Sequence, residues 1–477
     1  MNIVNCLYKN RAKTKTALRY GKEEISYSEL WNKSVKLSKS LENCKDEVIG
    51  LYIPNSINYV IAYFAILISN KIVLPVHFML KKPEIEGISK VCGVKTFFSV
   101  SDAQEIHKIQ DADIKVINVD EYDFDIKLQG NEEFVFAGSE NVALIIPTSG
   151  TTDKPKYVQL THDNITTSLE GILKIHHLKE NQNELIILPM TSAFCNTTQM
   201  LVCLLSGMTI TILEGKFNFI NFFRTVESNK ITYCEMTPSV LKLLSKVYDP
   251  KKHDISSMTR ISIGGEMITH EELVKIRAIL PSIIIINGYG MTEASPIISG
   301  LTYDEPESKL TSVGKPYYKV SVKIVDKDGR DLEPGKQGRI LVKGPNVMKG
   351  YYNEEKQIVI DGWLHTGDIG YLDEDGYLYI TGREKNIIIS GGQNICPEEV
   401  EACLNSHDMV KESKVMAEKD SVTGEIVVAQ IVLNVKGQFE RNKIVEHCKS
   451  HLANYKIPKK FYIVDELEKS ASGKIKR

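Results

Sequence analysis

The chain has 477 residues, which at roughly 150 residues per domain implies about three folding units. Its 59 Lys and Arg residues nearly balance 61 Asp and Glu, leaving a formal charge of −2. That balance excludes bulk electrostatic attraction to nucleic acid or an anionic membrane, and a composition 42% hydrophobic and 25% charged is that of a globular protein with a large core.

Apolar runs rich in Val and Ile alternate with amphipathic stretches from the N-terminus onward. VIGLYIP (48–54) reads as a strand, 57–69 as a helix behind it, and KIVLPV (71–76) as the next strand. KTFFSV (95–100), VALIIP (142–147), ELIILP (184–189), MTITIL (208–213), ITYCEM (231–236), RISIGG (260–265) and SIIIING (282–288) continue the series. Helical patterns over 239–247 and 270–280 separate several of them. Such alternation predicts an α/β fold with parallel sheets covered by helices. Near residue 310 the text changes to short strands and turns, with Asp-Gly pairs at 328–329, 361–362 and 375–376 that fit antiparallel hairpins. After Arg383 it becomes a small α+β module: a helix opened by Pro397, two strands, a helix over 442–452 and a final strand.

Nine cysteines (6, 44, 92, 195, 203, 234, 396, 403 and 448) are scattered, odd in number and form no C-x-x-C. This argues against a disulfide framework or a zinc site. The N-terminus lacks an apolar stretch of signal-peptide length. The longest apolar run, 59–68, falls far short of the ~20 residues of a membrane span. The expectation is a cytoplasmic protein without a membrane span or nucleic-acid partner.

The most informative segment is IIPTSGTTDKPKYVQLTH (145–162). Small hydroxyl residues around a glycine let successive N–H groups turn inward as an anion nest. Thr148, Ser149, Gly150, Thr151 and Thr152 supply that loop and Lys156 a positive charge, so a polyphosphate is the expected ligand. The spacing is not that of a Walker A loop, because Pro155 stands where the second glycine belongs.

This string resembles the phosphate loop of the acyl-adenylate-forming superfamily, which contains acyl- and aryl-CoA synthetases, luciferases and peptide-synthetase adenylation domains. Asp153 and Tyr157 replace two glycines of the usual pattern. NGYGMTEASP (287–296) is similar to the family's Y-G-x-T-E element. The resemblance makes Glu293 a Mg²⁺ ligand, Thr292 a phosphate donor and Tyr289 an adenine-stacking ring, with Gly288 and Gly290 beside the nucleotide. SIGGEM (262–267) resembles the turn next to adenine, and implicates Gly264, Gly265 and Glu266. The segment 361–401 resembles the W-x-x-T-G-D and G-R-x-K-D-x-I strings, with Asn386 in place of the usual Asp. It implies that Asp368 accepts hydrogen bonds from the ribose, that Arg383 contacts the nucleotide, and that Lys385 is a hinge. KSASGKIKR resembles the family's ending, which makes Lys474 the lysine on the substrate carboxylate and α-phosphate.

The resemblance covers nearly the whole chain. It implies a large N-terminal lobe of several subdomains (1–384), with helix-covered sheets and a distorted β-barrel, and a small mobile C-terminal domain (385–477). The implied activity is an ATP- and Mg²⁺-dependent acid–thiol ligase. A carboxylic acid becomes an acyl-AMP with release of pyrophosphate, and the acyl group passes to CoA or to a phosphopantetheine thiol. The alternatives are a stand-alone adenylation enzyme loading a carrier protein, a luciferase-like oxygenase, and a degenerate nucleotide-binding protein.

For the acyl pocket, Ser192 stands near the family's usual His, and Phe194, Thr198, Gly288, Pro296 and Ile297 are candidates. No acidic residue occurs from 188 to 213, where amino-acid-activating relatives carry an Asp, so the expected substrate is not an α-amino acid. Asn196-Thr197-Thr198 reads equally as pocket lining or as Ser/Thr caps. His176-His177 has no third ligand near in sequence and reads as surface or satisfied histidines, and His365 as packing or as an indirect contact behind the nucleotide site.

Overall fold

A computed structural model describes the chain except for residues 110–112, 126–133, 149–154, 303, 355–357, 391–392, 421–423, 470–474 and 476–477. Four sheets organise the described residues.

The largest sheet has nine strands in the order Lys315–Pro316, Ile297–Gly300, Ile284–Gly290, Arg260–Ile263, Tyr233–Met236, Asn183–Ile186, Thr209–Ile212, Thr16–Tyr20 and Glu23–Ser26. Its centre is parallel and its edges antiparallel. The expected strands from 184 to 288 are its middle, and their near-continuous apolar text reflects burial on both faces. A second sheet of seven strands orders Gly350–Tyr351, Lys156–Thr161, Val142–Thr148, Ile72–Pro75, Val48–Tyr52, Thr96–Ser99 and Lys115–Asn118. The helix Ile57–Ile68 is buried along almost its whole surface and joins the core shared by these two sheets. A helix apolar all round is stable only in such a place.

Helix starts follow side-chain chemistry. Ser26 accepts from Glu29 N while the Glu29 carboxylate accepts from Ser26 N, a reciprocal cap that opens Tyr27–Ser38. Thr161 and Asn164 do the same for His162–His176, and Thr269 and Glu272 for His270–Ile279.

The expected distorted barrel is a curled antiparallel sheet of five strands: Ser321–Val325, Gly338–Lys343, Trp363–Leu372 and Val359–Ile360, with Leu378–Arg383 on the far half of Trp363–Leu372. The three Asp-Gly turns are real: Gly329, Gly362 and Gly376 all take positive φ. The C-terminal sheet contains Ile388–Ser390, Val410–Asp420, Gly424–Leu433 and Lys460–Ile463, with helices Pro397–Asn405 and Arg441–His451. It has its own apolar core, from Ile388 to Ile457. No helix among the described residues is long and apolar enough to cross a membrane.

Eight of the nine cysteines are buried, Cys44 is half-buried, and all are free thiols. His176 is buried and its Nε2 lies 2.9 Å from Tyr317 Oη. Burial first, then Arg260, lowers its pKa to about 3. It is a satisfied core histidine, as expected, and His177 closes the helix with φ 42°.

Candidate active site

The hydroxyl-rich segment lies between the strands Val142–Thr148 and Lys156–Thr161. These strands are antiparallel, with Thr148 opposite Lys156. The loop therefore joins two strands of a hairpin and does not run from a strand into a helix. Ser149, Gly150, Thr151, Thr152 and Asp153 lie outside the described residues. Tyr157 is 5% exposed in the strand, its carbonyl accepting from Tyr352 N. Its side chain is core packing, which accounts for the departure from glycine.

Lys156 Nζ lies 4.5 Å from the centroid of the Tyr351 ring and 3.9 Å from Glu354. The hydroxyl of the same tyrosine donates to Glu293 Oε1 at 2.8 Å. Tyr351 thus touches both the cation of one motif and the carboxylate of another. Burial and the Glu293 carboxylate push its pKa far upward, so the hydroxyl remains a donor. Glu293 is 8% exposed, in the tight turn Thr292–Ala294. The turn is pinned from outside: Met348 N donates to Glu293 O, and Asn346 Nδ2 donates to Ala294 O and Ile297 O. Sequence reasoning passed over Tyr351 and Asn346, because their contacts are tertiary.

Asp368 sits on Trp363–Leu372 just after Gly367, whose φ of 73° goes with a slip in the pairing to Gly338–Lys343. An irregularity of this kind re-aims the next side chain. Tyr289 Oη donates to Asp368 Oδ2 at 2.6 Å, and Arg383 Nε to Oδ1 at 2.8 Å. Two motifs 79 residues apart meet at this carboxylate. Each oxygen keeps a lone pair for a further donor. Burial to 3% exposure raises the Asp368 pKa, and Arg383 and Tyr289 oppose that rise.

Gly264 and Gly288 lie side by side: a Cβ on Gly264 would meet Gly288 O at 3.3 Å and the Phe194 ring at 3.5 Å. These are C-terminal ends of parallel strands, where open α/β sheets bind ligands. Gly290 pairs with Ile297, and a Cβ on Gly290 would collide with Pro296 O. Gly265 takes φ 83°, while Glu266 Oε2 accepts from Ser239 N and Oγ and so anchors the helix Pro238–Val247. Ser192 Oγ accepts from Cys195 N, a helix-start cap.

Asn196-Thr197-Thr198 are not caps. They lie inside a π-helical turn, Cys195–Leu201, that is buried throughout. Thr198 Oγ1 donates to Glu235, whose other oxygen accepts from Tyr233 Oη. Gln199 Nε2 donates to Glu184 at 2.5 Å, and the Arg260 guanidinium stacks 3.7 Å from the Tyr233 ring. Two carboxyl groups from neighbouring strands therefore hold this buried turn by its side chains. The signal was present in the text, as one Glu in each of two otherwise apolar strands.

Burial raises Glu235 to about 7, against Thr198, Tyr233 and Arg260, and, with the Glu235 charge beside it, also raises Glu184. A folded pKa above the unfolded value of 4.5 means that the folded state binds more protons. This contribution is fully present below pH 4.5 and is lost as pH rises through about 7. Urea midpoints measured from pH 5.5 to 8 are expected to fall in the native protein and to flatten in Glu235→Gln; equal slopes would contradict the assignment.

Lys385 is exposed in the turn Glu384–Asn386, and Asn386 Nδ2 donates to Glu398 Oε1 at 2.5 Å. Lys474 lies outside the described residues. Ile475 pairs with Lys469, and Lys469 Nζ binds Glu412 at 2.6 Å.

Comparison with known proteins agrees with this geometry. The AMP-binding enzyme family matches residues 8–352, and the AMP-binding enzyme C-terminal domain matches 399–474. A 2-succinylbenzoate–CoA ligase of Bacillus subtilis is 31% identical over 471 residues, covering 97% of this chain and 93% of the relative. An indoleacetate–CoA ligase of Aromatoleum aromaticum is 28% identical over 481 residues, covering 97% and 94%. The solved o-succinylbenzoate CoA synthetase of Bacillus subtilis with its acyl-adenylate superposes with a TM-score of 0.86 at 29% identity, over 99% of this chain and 96% of that one. Fold and relatives together define an AMP-forming acid–thiol ligase that works through an acyl-adenylate. The chain belongs to the AMP-binding enzyme family.

Proposed function

We propose that this ligase joins an aromatic carboxylic acid, not an α-amino acid, to CoA, with ATP as the activating nucleotide and Mg²⁺ as the metal. The observation that carries the nucleotide half is Asp368, buried yet holding a lone pair on each oxygen beside Tyr289 and Arg383. The aromatic half rests on relatives that act on indoleacetate, 2-succinylbenzoate and ferulate.

Glu293 fits a Mg²⁺ role: it is a hard oxygen donor, and Tyr351 fixes its orientation. Bound there, the metal would neutralise phosphate charge. Asp368 accepts the ribose hydroxyls. Lys156 and the hydroxyls of 148–152 hold the phosphates, and Thr292 donates to the α-phosphate. Lys474 brings the substrate carboxylate to the α-phosphorus. A carboxylate oxygen attacks that phosphorus, the bond to the β-phosphate oxygen breaks, and pyrophosphate leaves. Residues 385–477 then turn about Lys385 and withdraw Lys474. The thiol gives up its proton and attacks the acyl carbonyl, and AMP leaves. Gating of this kind separates two half-reactions in one site.

A panel of carboxylic acids, assayed for pyrophosphate and AMP with and without CoA, tests the reading. Aromatic acids are expected to drive pyrophosphate release, with CoA accelerating AMP release. Adenylation that CoA does not accelerate would favour a carrier-protein thiol, and no acid-dependent pyrophosphate would favour a degenerate nucleotide-binding protein.

Tyr351→Phe keeps the ring against Lys156 but removes the donor to Glu293. A hydrogen bond to a charged group contributes ~1.5–3 kcal/mol. The apparent Mg²⁺ requirement should therefore rise about tenfold or more while the KM for the acid stays level; an unchanged Mg²⁺ titration would refute this role.

A further inference from the structure

The two helices of the C-terminal module face each other through sulfur and imidazole. Cys403 lies on Pro397–Asn405, and His447 and His451, one helical turn apart, on Arg441–His451. One donor atom from each falls within 4.8 Å of the others. Among the described residues no other three His, Cys, Asp or Glu side chains converge so closely. The group plays no part in the chemistry above.

We propose that Cys403, His447 and His451 bind a transition-metal ion of the zinc class, with solvent completing the coordination. In a tetrahedral site with bonds of ~2.0–2.3 Å the donors stand about 3.5 Å apart. Small side-chain rotations close the observed group to that spacing, since His451 is exposed and His447 half-buried.

Each ring also has the outer partner that orients a metal-binding histidine. His447 Nε2 lies 3.1 Å from Cys403 O and 2.9 Å from Ser406 Oγ, and His451 Nδ1 lies 2.8 Å from His447 O. A ring N–H given to a carbonyl leaves the other nitrogen as the bare lone pair. The Cys403 thiol lies in hydrogen-bond contact with Cys448, and a metal ion would have to displace its proton. Two imidazoles and one thiolate select zinc-class ions over Mg²⁺, which requires hard oxygens. The site therefore fills independently of the Mg²⁺ used with ATP. Its occupation would clip together the two helices of the module that carries Lys474.

The test is a Co²⁺ titration of the full-length protein, reduced and freed of metal, in excess Mg²⁺. The expected result is one Co²⁺ per chain, with tetrahedral d–d bands and a near-ultraviolet thiolate-to-cobalt band, both lost on adding Zn²⁺. His451→Ala, an exposed substitution that leaves the fold intact, should weaken binding at least about tenfold, and Cys403→Ser should erase the near-ultraviolet band. Zn²⁺ should raise the melting temperature of the native protein and not that of His451→Ala. No thiolate band in the native protein, or equal affinity in His451→Ala, overturns the proposal.

Discussion

Lys474→Ala is expected to lower acid-dependent pyrophosphate release by about 10²–10³-fold, the loss that follows when one preorganised donor is removed from developing negative charge. Two anions must meet before a carboxylate attacks the α-phosphorus, and a lysine that bridges them acts at that moment alone. Thioester formation from a supplied acyl-adenylate should proceed at the native rate. A comparable loss in both half-reactions would show that the lysine supports the fold or the thiol step, and would contradict the assignment. Ile475 pairs with Lys469, and Lys469 forms an ion pair with Glu412. Lys469→Ala should therefore reproduce part of the defect in the first half-reaction.

Much of the fold is legible because parallel strands buried on both faces must be continuously apolar. RISIGG and SIIIING announce themselves in this way, although the first strand stops at Ile263. There Gly264 leaves the ladder to lie against Gly288 O, a close approach that a side chain would crowd. The hairpin Thr16–Tyr20 with Glu23–Ser26 is harder to read, because both strands are short and the outer one, at the sheet edge, is charged. The site divides in the same way. Asp368 and Glu293 are readable because each belongs to a contiguous string. Tyr351 and Asn346 are not, since what they do depends on contacts 58 and 52 residues away. Glu235 was visible only as a carboxylate inside an apolar run, and what surrounds it became apparent only when the strands were aligned.

Asp368→Asn should separate function from stability. Burial raises the pKa of this carboxyl above its ordinary 3.8, so its ionised form is disfavoured in the folded protein. The sign follows from linkage: the folded state binds the extra proton, and its advantage is lost as pH rises through the raised pKa. At neutral pH the charge is a cost to the fold. Asparagine keeps a carbonyl oxygen to accept from Tyr289, and Arg383, with half its side chain exposed, can turn to water. The melting temperature at pH 7–8 is therefore expected to hold or rise. Nucleotide binding should move the other way. An amide cannot offer two anionic oxygens to two ribose hydroxyls, and its NH₂ meets the guanidinium as a second donor. Losing one charge-assisted contact of ~1.5–3 kcal/mol predicts a rise of about 10–100-fold in the KM for ATP. Calorimetry alongside ATP-dependent pyrophosphate release distinguishes the outcomes. A variant that melts lower and binds ATP normally would make Asp368 a structural link between Tyr289 and Arg383. One that melts as the native protein does, but needs far more ATP, would make it the residue that grips the nucleotide.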